Sequence, residues 1–246
     1  MPGKIIVITG ANGGLGRTLA QRFAGEGETV VLLGRSLAKV KAVADGIGAG
    51  ALAVECDVTS PDSVRAAFAA IAEHHPRIDA LINNAAVFKP FLLEEATDEQ
   101  ILGMLLTNLA GPILCTRSAI PMLNRDGHII NLSSESVEEA FPHLTLYQST
   151  KAGLETFGTH LQHELANKGI RVTTVRAGPM MGPDTVPEMD PMAMGRFFEE
   201  AAKRGLDLMA RGVSQYQSTT QIFRMLLDLP PDVNVGVVRF RSRVPD

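Results

Sequence analysis

Short apolar runs alternate with longer amphipathic stretches through most of the chain. The apolar runs are about six residues long and rich in Val, Ile and Leu. Continuous rather than alternating hydrophobicity is typical of strands that are buried on both faces of a parallel sheet. The pattern predicts strands at Ile5–Thr9, Thr29–Leu33, Ala51–Cys56, Ile78–Asn83, His128–Leu132, Ile170–Val175 and Val235–Phe240.

The stretches between these runs have the length and the periodicity of helices. The main ones are Leu15–Glu26, Leu37–Ile47, Pro61–His75, Asp98–Asn124, Tyr147–Lys168 and Gln217–Leu229. Alternation of strands and helices predicts βαβ units with right-handed crossovers. We therefore predict a single α/β domain over residues 1–246, a doubly wound parallel β-sheet flanked by helices on both faces.

One segment departs from this alternation, between Gly178 and Gly212. It contains four prolines and six of the ten methionines, among them Met180, Met181, Met189, Met192 and Met194. We interpret it as a lid that leaves the sheet and carries a short helix near Met192–Arg204. Its methionines suit an adaptable apolar surface, and packing within a local core explains them equally well.

Composition narrows the class of protein. The 246 residues are 45% hydrophobic and 20% charged, which is typical of a globular chain and not of a disordered one. The net charge of −4 gives no reason to expect nucleic acid or a membrane as partner. Two cysteines, an N-terminus without a signal-peptide core and the lack of an 18-residue apolar run lead us to expect a cytoplasmic protein.

A glycine-rich turn follows the first strand. Gly10, Gly14 and Gly16 are spaced G-x-x-x-G-x-G, at a change from strand to helix. Glycine allows positive φ and close approach of a phosphate, and the following helix start presents free N–H groups to an anion. The turn predicts a dinucleotide site, with a tight turn that binds nothing as the alternative.

The end of the second strand indicates which dinucleotide is bound. An acidic residue at this place binds the ribose of NAD, whereas an Arg accommodates the 2′-phosphate of NADP. Here Arg35 and Ser36 follow the strand and no acid is present. We expect NADP(H) to be preferred over NAD(H), with a solvated surface Arg as the alternative.

Tyr147 and Lys151 lie four residues apart at the head of a predicted helix and so share one face. A nearby ammonium lowers the pKa of a phenol and can bring it into range for acid–base chemistry. Ser133 and Ser134 close the fifth strand, at the edge where such sheets bind ligands. Taken alone, a Tyr and Lys pair at this spacing is more typical of surface neighbours than of a catalytic site.

Pro112 interrupts the long helical stretch. It has no N–H group, so the carbonyl of Asn108, four residues earlier, loses its helical hydrogen bond. An ordered water would satisfy that carbonyl, and a simple proline kink is the alternative.

These residues together resemble the short-chain dehydrogenase/reductase family in its compact form. Thr9 with the three glycines matches the cofactor motif, Cys56-Asp57-Val58 the segment that contacts adenine, and Asn83-Asn84-Ala85-Ala86 the motif after the fourth strand. The resemblance implies a catalytic tetrad of Asn108, Ser134, Tyr147 and Lys151. It also implies an NAD(P)-binding Rossmann domain with cofactor contacts at Gly10, Asn12, Gly13, Gly14, Leu15, Gly16, Arg35, Ser36, Asp57, Val58, Asn84, Ala85, Ala86, Tyr147, Lys151, Gly178 and Met180.

The resemblance implies a role for each catalytic residue. Tyr147 would exchange a proton with the substrate oxygen, Ser134 would hold that oxygen, and Lys151 would lower the pKa of Tyr147 and bind the nicotinamide ribose. The carbonyl of Asn108 would hold a water next to Lys151. Hydride would pass between the nicotinamide and a carbonyl or secondary alcohol carbon, without a metal.

Three positions depart from the family pattern. Ala86 replaces a Gly, Arg176-Ala177-Gly178 replaces the usual Pro-Gly after the sixth strand, and Gly182 stands where a Thr is common. Gly13 occupies a position at which many NADP-preferring relatives carry a basic residue. The cofactor preference therefore depends on Arg35, with Ser36 and Asn12 as helpers.

The expected substrate is a small ketone or alcohol, apolar or aromatic. Glu135, Glu138 and Glu139 follow Ser134, and we expect solvated surface acids rather than pocket residues there. Pairing of the two long helices, as in relatives, implies a homodimer or homotetramer. Alternative functions are a non-catalytic dinucleotide-binding sensor or scaffold, which the intact tetrad disfavours, and an epimerase or dehydratase, for which the chain lacks a substrate-binding extension.

Overall fold

A computed structural model of the protein describes residues 3–182, 190–208 and 210–243. Its centre is a seven-stranded, all-parallel sheet in the order β3-β2-β1-β4-β5-β6-β9. The strands are β1 (Ile5–Thr9), β2 (Thr29–Gly34), β3 (Ala51–Glu55), β4 (Ile78–Asn83), β5 (Leu123–Ser134), β6 (Arg171–Ala177) and β9 (Val237–Phe240). A separate parallel pair is formed by β7 (Met180–Met181) and β8 (Ser214–Gln215).

Helices cover both faces of the sheet, as the alternation predicts. They are α1 (Gly14–Gly25), α2 (Leu37–Ile47), α3 (Pro61–His74), α4 (Asp98–Leu105), α5 (Gly111–Ala119), α6 (Thr145–Leu165), α7 (Pro191–Lys203) and α8 (Tyr216–Asp228). Helices α3, α5 and α6 pack on one face, and α1, α2 and α8 on the other. The doubly wound α/β fold is confirmed.

The predicted helix from Asp98 to Asn124 ends earlier than expected, and it is not a uniform α-helix. It is divided by a π-helical turn at Leu106–Ala110, and α5 ends at Ala119. Pro121 explains the end, since Ile120 is still helical but Pro121 has no N–H to donate to the carbonyl four residues earlier. Residues from Leu123 onward extend β5, which pairs Leu123 with Ile78 before a register shift.

The run Asp98–Ala119 is long and apolar enough, by length and composition alone, to cross a membrane. A third of its most apolar window is buried in the fold, and its helices pack against α3 and α6. Core helices of soluble proteins have the same composition, so the run carries no argument about location.

The order of the strands positions the candidate site. Strand β1 lies between β2 and β4, and Ile8 is in register with both Leu32 and Ile82. The connections from β1 therefore run in opposite directions on the two sides, which makes the carboxyl ends of β1 and β4 a topological switch point. Ligands bind at such points in open α/β sheets.

Candidate active site

The glycine-rich turn joins β1 to α1 in the conformation that its sequence predicts. Gly10 and Gly14 have φ of +65° and +53°, which side chains disfavour. A Cβ atom on Gly16 would lie 2.5 Å from the Gly10 carbonyl oxygen, whereas one on Gly13 would meet open space. The helix therefore packs closely on the strand, and the turn leaves an open cradle in front of the α1 N-terminus. This cradle fits the phosphates of a dinucleotide.

The end of β4 is fixed to the same turn. The Asn84 side-chain amide donates to the Thr9 carbonyl at 2.9 Å, and the Thr9 hydroxyl accepts from the N–H groups of Asn84 and Ala85, both at 3.0 Å. Asn84 thus holds the turn in place with its side chain. Ala86 follows at the start of the loop, after the segment that carries these bonds.

Arg35 lies exposed at the carboxyl end of β2, directly before α2. Ser36 is the N-cap of α2, and its hydroxyl accepts from the N–H of Lys39 at 3.4 Å. Asn12, from the glycine-rich turn, lies next to this place: its Oδ1 is 3.2 Å from where a Cβ of Gly34 would be. Asn12, Arg35 and the start of α2 therefore share one corner of the site.

Asp57 and Val58 follow β3, beyond Cys56. The Asp57 carboxylate accepts from both the N–H and the hydroxyl of Thr59, at 2.9 and 2.7 Å. Val58 is buried against Gly111, where a Cβ would approach it to 3.0 Å. One oxygen of Asp57 is therefore engaged within its own loop.

The two serines at the end of β5 point to different partners. Ser134 lies close enough to Tyr147 to lower its pKa, and its hydroxyl accepts from the N–H of Ser136 at 3.1 Å. The buried hydroxyl of Ser133 donates to Glu155 at 2.7 Å. Residues one apart on a strand face opposite sides, so Ser134 is the serine that lies beside the tyrosine.

Lys151 is buried one helical turn after Tyr147. Its ammonium donates to the carbonyl of Leu132 at 2.8 Å and lies 5.8 Å from the centre of the Tyr147 ring. Burial lowers the pKa of Lys151 to about 8, because the charged form loses hydration. The lysine is therefore poised to change charge close to neutral pH.

The expected lowering of the Tyr147 pKa by Lys151 is not what the structure shows. Burial raises the pKa of Tyr147 to about 12, and the nearby Ser134 hydroxyl opposes this only in part. The reason is that apolar side chains surround the phenol while the ammonium is turned toward a carbonyl. In the protein without nucleotide, Tyr147 is a protonated phenol at neutral pH.

Asn108 is fully buried in the π-helical turn. Its side chain donates to the Val87 carbonyl at 2.9 Å and accepts from the Val87 N–H at 2.8 Å. Its amide also reaches the hydroxyl of Thr150, next to Lys151, at 3.4 Å. The turn has widened before Pro112, with the Gly111 N–H donating to Leu106, five residues back. Asn108 thus joins three segments of the site.

Aromatic side chains enclose Tyr147. Phe88 stands edge-on to its ring with centroids 5.0 Å apart, and Phe197 from the lid helix α7 meets Phe88 at 6.5 Å. The cluster is completed by Phe141, Leu144, Met194, Leu206 and Leu208. No motif marked Phe88 or Phe197 in advance, because their proximity is created by the fold.

Of the three acidic residues after Ser134, Glu135 and Glu139 are not solvated surface acids, so that expectation is wrong for these two, whereas Glu138 is exposed. Glu135 is buried and pairs with Arg211 at 3.0 Å and Arg241 at 2.9 Å. Glu139 pairs with the same two arginines. A buried carboxylate requires such partners, which come from segments far away in the sequence.

Glu138 belongs to a second group of ion pairs next to this one. This group also includes Glu155, which the sequence analysis does not identify. Glu138 pairs with Arg176 and with Arg239. Arg176 also holds the buried Glu155 through Nη2 at 2.6 Å and Nε at 2.9 Å. Glu155 also accepts from Ser133. Arg176, which departs from the family pattern, is therefore paired with a buried carboxylate that contacts the end of β5.

The lid carries its predicted helix, here α7. Within the described part, Met194 packs in the aromatic cluster, Met180 packs against the sheet core, and Met181 and Met192 are exposed; Met189 lies outside the described residues. Gly178, before β7, is close to Glu135, whose Oε2 would be 3.7 Å from a Gly178 Cβ. The methionines thus have several roles rather than one.

A cavity of about 440 Å³ opens beside the lid helix, lined by Phe91, Phe141, His143, Arg196 and Arg204 among others. It shares Phe141 with the aromatic cluster. In residues 3–182, 190–208 and 210–243, no three His, Cys, Asp or Glu side chains are grouped as a metal site.

Comparison with known proteins gives the family. The short chain dehydrogenase family model matches residues 4–191. An uncharacterised oxidoreductase of Methylorubrum extorquens is 34% identical over 185 residues, covering 72% of this chain and 73% of its own. A mouse 3-oxoacyl-[acyl-carrier-protein] reductase is 31% identical over 176 residues, covering 71% of this chain and 75% of its own. The chain belongs to the short-chain dehydrogenase/reductase family of oxidoreductases.

A solved structure agrees with the fold. The alcohol dehydrogenase of Thermococcus sibiricus, complexed with 5-hydroxy-NADP, superposes with a TM-score of 0.82 at 24% identity, over 99% of this chain and 98% of that one.

Proposed function

We propose that the protein is an NADP(H)-dependent oxidoreductase that reduces small apolar or aromatic carbonyl compounds, with Tyr147 as the proton donor. The observation that carries the proposal is the place of the Tyr147 ring, 5.8 Å from the Lys151 ammonium and packed against the aromatic cluster that contains Phe88 and Phe197. A phenol with raised pKa is in the protonation state that carbonyl reduction requires. Oxidation of an alcohol would have to begin from the phenolate.

The residues divide the chemistry among them. A nicotinamide dinucleotide held at the glycine-rich turn would supply the hydride. Ser134 orients the substrate oxygen toward Tyr147, which donates its proton as the oxygen gains charge. The Lys151 ammonium would stabilise the resulting phenolate once it turns from the Leu132 carbonyl toward the ring, and proton return would pass along the Asn108 and Lys151 side of the site. The aromatic cluster excludes water from the reacting centre and favours a flat or apolar substrate.

The proposed preference for NADP(H) is based on Arg35 and the start of α2. Arg35 is exposed and can turn toward a 2′-phosphate, and the N-terminus of α2 favours an anion at the same place. The NADP-derived ligand that names the Thermococcus structure agrees with this choice.

Nucleotide titration tests the cofactor part of the proposal. Binding is followed by NADPH or NADH fluorescence, against low background since the chain has no Trp. We expect tighter binding of NADPH in the wild type and loss of that preference in Arg35→Asp. Lys39→Asp, at the nearby start of α2, is the matched charge control. Equal NADPH preference in wild type and Arg35→Asp would overturn Arg35 as the 2′-phosphate residue.

We also propose a homodimer or homotetramer that pairs the α4–α5 and α6 surfaces. Leu102, Leu106 and Ile113 are exposed along α4–α5, which supports an apolar contact there. Light scattering of the wild type and of Leu102→Glu tests this. A monomeric wild type would contradict it.

A further inference from the structure

A second tyrosine lies against the glycine-rich turn. If Gly14 carried a Cβ atom, that atom would be 3.6 Å from the Tyr216 hydroxyl, 3.7 Å from Cζ and 3.9 Å from Cε2. The hydroxyl is therefore the part of the side chain nearest to the turn. Tyr147 and Tyr216 are the only tyrosines in the chain, and the proposed reaction uses only the first.

The fold holds Tyr216 in this place from two directions. It begins α8 directly after β8, and Gln215 of β8 pairs with Met181 of β7. Its carbonyl accepts from the Thr219 hydroxyl at 2.8 Å. Helix α8 in turn is tied to α1, because Arg22 donates to the Thr220 hydroxyl at 2.9 Å. The position of the phenol relative to the turn is thus set by helix packing and not by a loop.

The hydroxyl has donor capacity available toward the turn. Within the described residues, the hydrogen bond formed by Tyr216 uses its carbonyl and not its hydroxyl. The ring is half-buried against the core that covers α1 and α8, and a tyrosine packed in this way keeps its O–H for a partner. Gly13 has no side chain to cap the start of α1. A hydroxyl donor and uncapped backbone N–H groups therefore lie around the same glycine.

We propose that Tyr216 is a cofactor-binding residue whose hydroxyl donates a hydrogen bond to the pyrophosphate of the dinucleotide at Gly14. Phosphate oxygens are only acceptors, and a phenol is a neutral donor that matches them. The inference rests on the proposed dinucleotide site. It adds a contact from α8, which follows the lid in the sequence. The other residues that surround the pyrophosphate come from the first strands and their loops.

The functional consequence concerns the lid. Because β8 pairs with β7, and Tyr216 follows β8 directly, the pyrophosphate would contact the end of the segment that covers the substrate.

The first test is Tyr216→Phe, which keeps the ring and removes the hydroxyl. Loss of a hydrogen bond to a charged group predicts a rise in the NADPH dissociation constant of about tenfold or more. Thermal unfolding without nucleotide should stay unchanged. ADP-ribose, which keeps the pyrophosphate but lacks nicotinamide, should bind the variant more weakly as well, whereas 2′-AMP, which has neither phosphate of the pyrophosphate, should bind wild type and variant equally. Equal or tighter NADPH and ADP-ribose binding by the variant would overturn the proposal.

The second test is a fluorine NMR measurement on protein labelled with 3-fluorotyrosine. Two resonances are expected, and Tyr147→Phe assigns them. The Tyr216 resonance should move on addition of ADP-ribose, and both resonances should move with NADPH. If only the Tyr147 resonance moves, the dinucleotide site stands and the role of Tyr216 is wrong. If neither moves with either nucleotide, the dinucleotide site itself is wrong and the role of Tyr216 fails with it.

Discussion

The ring of Phe88 meets the ring of Tyr147 edge-on, with centroids 5.0 Å apart and an interplanar angle of 86°. Phe88 lies in the loop after β4, five residues beyond the last residue of that strand, while Tyr147 lies on α6. The contact removes water from one side of the phenol, which is a cause of its raised pKa. The loop after β4 therefore influences both the substrate space and the protonation of the catalytic group.

Replacement of Phe88 by Ala should change substrate selection more than nucleotide binding. The lost edge-on pair weakens the aromatic face of the pocket by about 0.5–1.5 kcal/mol, so KM for aromatic ketones should rise about two- to tenfold. The NADPH dissociation constant should stay the same. Phe198→Ala, next to Phe197 but partly exposed, is the matched control. An unchanged ratio of aromatic to aliphatic turnover in Phe88→Ala would contradict the assigned pocket.

The charge of Lys151 should govern a limb in the pH profile of nucleotide binding. Its pKa is lowered to about 8 by burial, so the ammonium is present below that pH and is lost as pH rises through it. NADPH affinity should therefore fall above about pH 8. In Lys151→Arg, which stays charged throughout, the limb should disappear. Fluorescence titrations from pH 6.5 to 9.5 measure this, and a flat wild-type profile would exclude Lys151 as a nucleotide contact.

The Glu155–Arg176 pair should be important for stability beneath the site. Glu155 is buried and accepts from Ser133 and Arg176. Removing one charge of a buried pair leaves the other uncompensated, at a cost of about 3 kcal/mol. Glu155→Leu and Arg176→Met should each lower the free energy of unfolding, whereas the double variant should lose much less than their sum. Urea unfolding gives all three values; strict additivity would mean that the two groups do not interact.

His128 should make the fold less stable in weak acid. Burial lowers its pKa to about 3, with Arg171 contributing, while an unfolded chain has a histidine pKa near 6.5. Between these values the unfolded chain binds one more proton, so stability falls as pH drops below about 6.5, by up to about 1.4 kcal/mol per pH unit. His128→Gln should reduce this slope, and the exposed His160→Gln should not. Equal slopes for wild type and His128→Gln would show that His128 is not the cause.

The sequence predicts the strands and the glycine-rich turn better than it predicts the side chains that surround the candidate site. Hydrophobic runs identify the strands, and the three glycines identify the turn, because both effects are local in the chain. The end of α5 near Pro121 is missed because the apolar periodicity continues past it. Glu135 and its two arginines are misjudged because Arg211 and Arg241 come from distant segments. The direction of the Tyr147 pKa is missed for the same reason, since Phe197 reaches the site only through the fold.

The central claim is that Tyr147 donates the proton during NADPH-dependent reduction. It is tested most directly by NADPH consumption at 340 nm over a panel of aryl and alkyl ketones, with wild type and Tyr147→Phe compared at equal nucleotide saturation. The account predicts turnover of an apolar ketone by the wild type and a loss of at least a hundredfold in the variant, with unchanged NADPH affinity. Equal turnover by wild type and Tyr147→Phe would contradict the account.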